Sequence, residues 1–215
     1  MKFKKLVSVF LGVLFLLGAG ALLANAAVNP QENQEQGKQV KEEFAAWMNN
    51  PMGAIKTGQV MITIERWSTP EERQQLIAAF KQGGNDALHK NEALHKVLIK
   101  LPSVGYIRVP RTTAWELHYA YQFPTSDGGR QIVIATNRKI GFQEASMDNM
   151  SMDYPFELIQ MDLDAQSKGE GRLSLATRII VSKDGSGIEL ENYGQEPVML
   201  ESIHKRTEKD KEPEK

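Results

Sequence analysis

The chain contains no cysteine. That absence removes disulfides, thiolate nucleophiles and cysteine-ligated zinc together. It also removes the lipoprotein form of membrane attachment, which needs a cysteine at the cleavage site. Charge of one sign is lacking too: 26 basic residues stand against 27 acidic ones, a net charge of −1. A balanced chain has no basic field to offer nucleic acid or an anionic membrane surface, so neither is expected as a partner.

What is present begins with a leader. Lys2, Lys4 and Lys5 form a basic start, Leu6 to Leu23 is an uncharged apolar run, and Ala24-Asn25-Ala26 supplies the small-x-small pattern read by signal peptidase. Residues 1–26 are therefore expected to be a signal peptide cut before Ala27. The alternative is retention as an anchor, since the run reaches the lower end of the roughly 17–25 residues that span a bilayer. Gly12, Gly18 and Gly20 thin its hydrophobicity and favour cleavage. Cleavage places the protein in a bacterial periplasm or outside the cell, with no membrane insertion of the mature chain. Loss of three lysines and no acid leaves that mature chain more acidic. It is long enough to bury a self-sufficient core without disulfides.

Residues 27–37 are polar and lack a periodic apolar face, which reads as a disordered spacer. Val40, Phe44, Trp47 and Met48 recur at i, i+4, i+7 and i+8, and predict an amphipathic N-terminal helix over 38–50. A first strand is expected at 58–66, where Val60, Ile62 and Ile64 alternate with polar neighbours. Thr69-Pro70-Glu71-Glu72 carries an N-cap, a proline at N1 and a capping-box glutamate, so a helix starts there and runs to about 83, ended by Gly83-Gly84. A second helix over about 86–100 follows, with Leu94, Val97 and Leu98 inward.

From there the period changes from 3.6 to 2. Trp115, Leu117, Tyr119, Tyr121 and Phe123 share one face of a strand over 113–123, and Glu116, His118 and Ala120 share the other. Ser126-Asp127-Gly128-Gly129 turns the chain into Ile132 and Ile134. The slip in phase between Leu158 and Ile159 suggests a β-bulge. A loop over 164–171 leads to a strand carrying Leu173, Leu175, Thr177, Ile179 and Val181, and a closing hairpin joins Ile188 and Leu190 to Val198 and Leu200. Residues 205–215 read as a charged disordered tail.

The fold class is mainly β: one domain over 58–204, an antiparallel meander of about eight or nine strands with a two-helix insertion after the first. A barrel is expected, with a two-sheet sandwich as the alternative. One strand, two short helices and a long meander resemble the plan of intracellular lipid-binding proteins and the wider calycin barrels. A lumen lined by Trp115, Tyr119, Tyr121 and Phe142 would suit a small apolar molecule. On that reading Glu116 and His118 face solvent.

Other chemistry is thinner. His89 and His95 lie six residues apart on one helix and diverge, whereas helical metal pairs need i, i+3 or i, i+4. Glu116 and His118 could pair as an orienting acid and a base, but no nucleophile is placed with them. Asp162, Asp164 and Glu170 resemble a calcium loop, with Ser167 where its glycine belongs. Gly185-Ser186-Gly187 lacks the spacing of a nucleophile elbow. Met147, Met150 and Met152 resemble the methionine motifs of exported copper proteins, and thioethers suit Cu(I). The expected function is non-catalytic binding of a small apolar ligand. The alternatives are copper binding by the methionine segment, or an interaction domain with a filled core. No catalytic residue, and no cofactor other than that copper, is expected.

Overall fold

A computed structural model describes residues 39–49, 57–84, 87–109, 113–138, 140, 156–175, 178–192, 198–207 and 210. Among the described residues ten strands and two helices follow one another: β1 Gln39–Asn49, β2 Thr57–Arg66, α1 Pro70–Gln82, α2 Ala87–Leu98, β3 Gly105–Arg108, β4 Trp115–Pro124, β5 Arg130–Thr136, β6 Glu157–Leu163, β7 Lys168–Leu175, β8 Arg178–Val181, β9 Ile188–Asn192 and β10 Val198–Lys205. Eight of the strands close an antiparallel barrel in the order β1-β10-β7-β6-β5-β4-β3-β2, with β2 also paired to β1. The β8–β9 hairpin forms a separate two-stranded sheet. The barrel, not the sandwich, is the architecture.

Where a helix over 38–50 was expected, the described residues Gln39–Asn49 form a strand. Phe44 and Met48 are separated by four, an interval that a helix and a strand face share. The distinction lay in the odd position. Ala46 is buried with Phe44 and Met48, while Trp47 points outward and is 51% exposed. Their neighbours decide it: β1 pairs with β2 on one side and with β10 on the other.

The lumen is filled by side chains of opposed strands, among them Phe44, Met48, Ile62, Ile134, Met161 and Leu200. Eight strands enclose an interior just wide enough for such a filling or for one small ligand. One end is occupied by polar groups from three inward-facing positions. Arg130 donates to both oxygens of Glu42 (Nη1 at 3.3 Å, Nη2 at 2.7 Å) and to Gln122 Oε1 at 2.8 Å. Ser167 Oγ and Lys205 Nζ complete the group, at 3.3 Å from Arg130 and 3.4 Å from Glu42.

A second apolar layer lies outside the barrel. Leu76 of α1 and Leu94 and Leu98 of α2 pack on the outer faces of β4, β5 and β6, against Tyr119, Tyr121 and Leu158, with Ile179 and Ile188 of the β8–β9 hairpin in the same cluster. The capping box forms as expected: Glu72 N–H donates to Thr69 Oγ1 at 3.2 Å, and Thr69 N–H to Glu72 Oε2 at 2.9 Å. Gly84 takes φ of +66° and supplies the left-handed step, while a Cβ on Gly83 would come within 2.5 Å of Lys90 Cα, so α2 turns back tightly against the end of α1.

Three other expectations are corrected. No bulge interrupts β6, which pairs in continuous register on both sides. Its apparent phase slip arises because both faces are covered, Ile159 and Met161 by the lumen and Leu158 by the outer layer. The Gly-rich stretch from Lys168 is strand, not loop: a Cβ on Gly169 would lie 1.9 Å from Asp162 O, so only glycine allows that approach to β6. Finally, β9 pairs with β8 and β10 with β7 and β1, so no β9–β10 hairpin exists. β10 also runs to Lys205, and Arg206 N–H still donates to Glu43 O at 2.7 Å.

The register of β1 is testable by denaturant unfolding. Phe44→Ala is expected to cost about 3–5 kcal/mol through a lumen cavity, and Trp47→Ala to stay within about 0.5 kcal/mol. Equal losses would sink the assignment of Trp47 to the outer face.

Candidate functional site

The aromatic strand is divided. A register shift between Leu117 and Tyr119 accommodates His118 as a bulge on β4. Before it, Leu117 points into the lumen with Trp115 packed beside it. After it the alternation is reversed: Ala120 faces the lumen, and Tyr119 and Tyr121 face outward under the helices. Trp115, Tyr119 and Tyr121 therefore share no cavity. Tyr121 and Phe123 meet edge to face at 4.6 Å, and Ile188 N–H donates to the Tyr119 hydroxyl at 3.4 Å. Phe142 and the methionines Met147, Met150 and Met152 lie outside the described residues.

The bulge also corrects the expectation for His118. Its side chain is only 8% exposed, while Glu116 is 69% exposed. Nδ1 lies 2.8 Å from Leu101 O. A carbonyl only accepts, so Nδ1 carries the proton. Nε2 faces Glu116 Oε2 at 3.6 Å. The structure thus brings the pair together, but neither contact is to a hydroxyl or other nucleophile. The imidazole fastens the end of α2 to β4.

His89 is exposed, and His95 Nε2 meets Asn137 O, just past the end of β5, at 2.9 Å. Among the described residues no group of three or more histidines and acids could hold a metal. Asp164 accepts from the backbone N–H of Gln166 and Lys168, each at 2.8 Å, and so serves its own turn; Asp162 accepts from the Gln131 amide at 2.8 Å. Ser186 is likewise committed locally, donating through Oγ to Asp184 at 2.7 Å.

Two features were not expected. An open groove of about 790 Å³ runs between α1 and α2, floored by small residues such as Ala79 and Ala93 and rimmed by Gln75, Gln82, Lys96 and Lys100. The other is Arg73, buried beneath the β8–β9 turn. Its Cζ stands 4.1 Å from the Tyr121 ring centroid, and Nη1 donates to Ser186 O at 2.6 Å. The sequence carried a signal for it, because Arg73, Leu76 and Phe80 fall at i, i+3 and i+7, one stripe of α1.

The class defined is a closed eight-stranded antiparallel barrel with a filled lumen and an external layer of two helices and a hairpin. No family model, no curated protein and no solved structure matches the chain.

The hairpin turn predicts a pH effect. Burial raises the Asp184 carboxyl, but hydrogen bonds from Ser182 and Ser186 outweigh it and hold the group below the usual aspartate range. A depressed folded-state value gives stability that is present above the unfolded value of about 3.9 and lost as pH falls through the folded one. Asp184→Ala should therefore lower the melting temperature at pH 7, with the deficit shrinking below about pH 4. A deficit independent of pH between 7 and 2 would refute this origin.

Proposed function

We propose that this chain is an exported, non-catalytic binding domain in which the barrel is a filled scaffold and recognition occurs outside it, on the layer formed by α1, α2 and the β8–β9 hairpin. The observation that carries the reading is the occupied lumen. Its space is taken by Phe44, Met48, Met161 and their neighbours, and its polar end by Arg130 and Glu42. A carrier needs room that these side chains occupy, and the tyrosines that would line its cavity face the other way. The groove between the helices, by contrast, is open and within the size range of ligand sites.

The tests separate the two places. Wild-type protein titrated with hexadecanoate or an apolar fluorophore should show no saturable one-to-one change in Trp fluorescence. Phe44→Ala, which opens a dry void in the lumen, should gain binding of a small aromatic such as indole. Stoichiometric binding of the apolar probe by the wild type, abolished by filling the lumen with Ala46→Phe, would restore the carrier reading. Export is supported by Lys2, Lys4 and Lys5, the apolar run and Ala24-Asn25-Ala26. Sequencing the mature N-terminus after expression in a bacterial host should give Ala27, whereas a membrane-bound product beginning at Met1 would mean a retained anchor.

A further inference from the structure

The chain treats its guanidinium groups unequally. Arg66 is held by Glu72 through two hydrogen bonds, of 2.9 and 3.0 Å, and Arg130 is held by Glu42 in the same two-pronged manner. Arg73 is more than nine-tenths buried, yet among the described residues no carboxylate pairs with it. Its contacts are the Tyr121 ring and the Ser186 carbonyl. Nε is enclosed and has no hydrogen-bond partner among the described residues. Glu71 is fully exposed, and its carboxyl is lowered first by its backbone and Thr69 hydrogen bonds and only last by Arg73. Asp184, on the opposing turn, is turned back onto Ser182 and Ser186.

A buried cation without a counter-charge is costly, and a buried donor without an acceptor adds to that cost. The geometry leaves one edge of the guanidinium for an answer. Stacking on Tyr121 fixes its plane, Ser186 O occupies Nη1, and the edge formed by Nε and Nη2 has the spacing that matches two oxygens of one carboxylate or phosphate. We infer that Arg73 is the recognition residue of a small-anion site between α1 and the β8–β9 turn, and that its ligand presents a carboxylate or a phosphate to the Nε–Nη2 edge. This rests on the external-recognition reading above and gives that reading a ligand chemistry. The Tyr121 ring supplies an apolar wall and Ser186 O holds the fork in place, so the ligand meets a pre-set donor pair.

The experiment uses the full mature chain at constant ionic strength, with chloride replaced stepwise by acetate in one series and by inorganic phosphate in another. The Arg73 Nε–H resonance and the melting temperature are followed together. One anion should shift the resonance saturably and raise the melting temperature, and the series that does so identifies carboxylate or phosphate as the group recognised. Arg73→Lys, which keeps the charge without the fork, should weaken the response by about tenfold, the loss of one charge-assisted hydrogen bond. Arg73→Met should abolish it. If Arg73→Met does not fold, the resonance in the wild type still decides. An unmoved Nε–H signal in both series, or an equal saturable response in Arg73→Met, would overturn the site. The external reading is then still judged separately, by the lumen probes.

Discussion

The pairing of β1 with both β2 and β10 is the constraint on which the rest depends. Without it the sheet would have two free edges, each a row of unpaired backbone groups, and the lumen would be an open trough. With it, inward side chains meet across a closed ring, and the apolar cluster from Phe44 to Leu200 becomes a core. The seam is reinforced where strand ends meet: Glu42 of β1 is shared by Arg130 of β5 and Lys205 of β10. Taking one partner from such a half-buried cluster would leave a charge to be solvated in a narrow barrel end.

Closure makes a second decision possible. Once the lumen is full, additional apolar residues must be covered from outside, and the bulge at His118 is the device that sends them there. By reversing the alternation of β4 it directs Tyr119 and Tyr121 to the outer face, where α1, α2 and the β8–β9 hairpin cover them. His118, displaced by the bulge, becomes the tie between β4 and the end of α2. The outer layer is thus where the molecule has an open groove and a guanidinium that no carboxylate among the described residues pairs with, whereas the lumen has the filling of a core and, at one end, charges already paired with one another.

Much of this architecture was legible because local signals were strong. The capping box at Thr69 and Glu72, the stripe of Leu94 and Leu98, the strand at 58–66 and the turn at Gly128 all depend on neighbours in sequence, and each is found where its pattern places it. The errors share a physical cause. Phe44 and Met48 satisfy two periods at once, and only the seam, made with residues far away, selects the strand. An unbroken alternation from Trp115 to Phe123 conceals a bulge, while the broken one in β6 has none, because burial on both faces erases the period that sequence reading relies on. Of the aromatic residues expected to line one cavity, Trp115 and Tyr119 lie on opposite sides of the same sheet. Arg130 and Glu42, separated by 88 positions, gave no local sign of each other.

The seam also sets a timetable. β1 is the first strand of the described chain and β10 the last, so the ring cannot shut until the final segment is available. A chain emerging from its N-terminus can form β2 against β1, then β3 and the strands that follow, but through all of that time one flank of β1 and the inner faces of the growing sheet remain uncovered. Contacts between ends so distant in sequence are the slow ones to form, and uncovered edges are where chains stick to one another. The sheet therefore stays incomplete until the last eight residues of the barrel, Val198 to Lys205, join it, and they determine when the molecule stops being a strip and becomes a closed object.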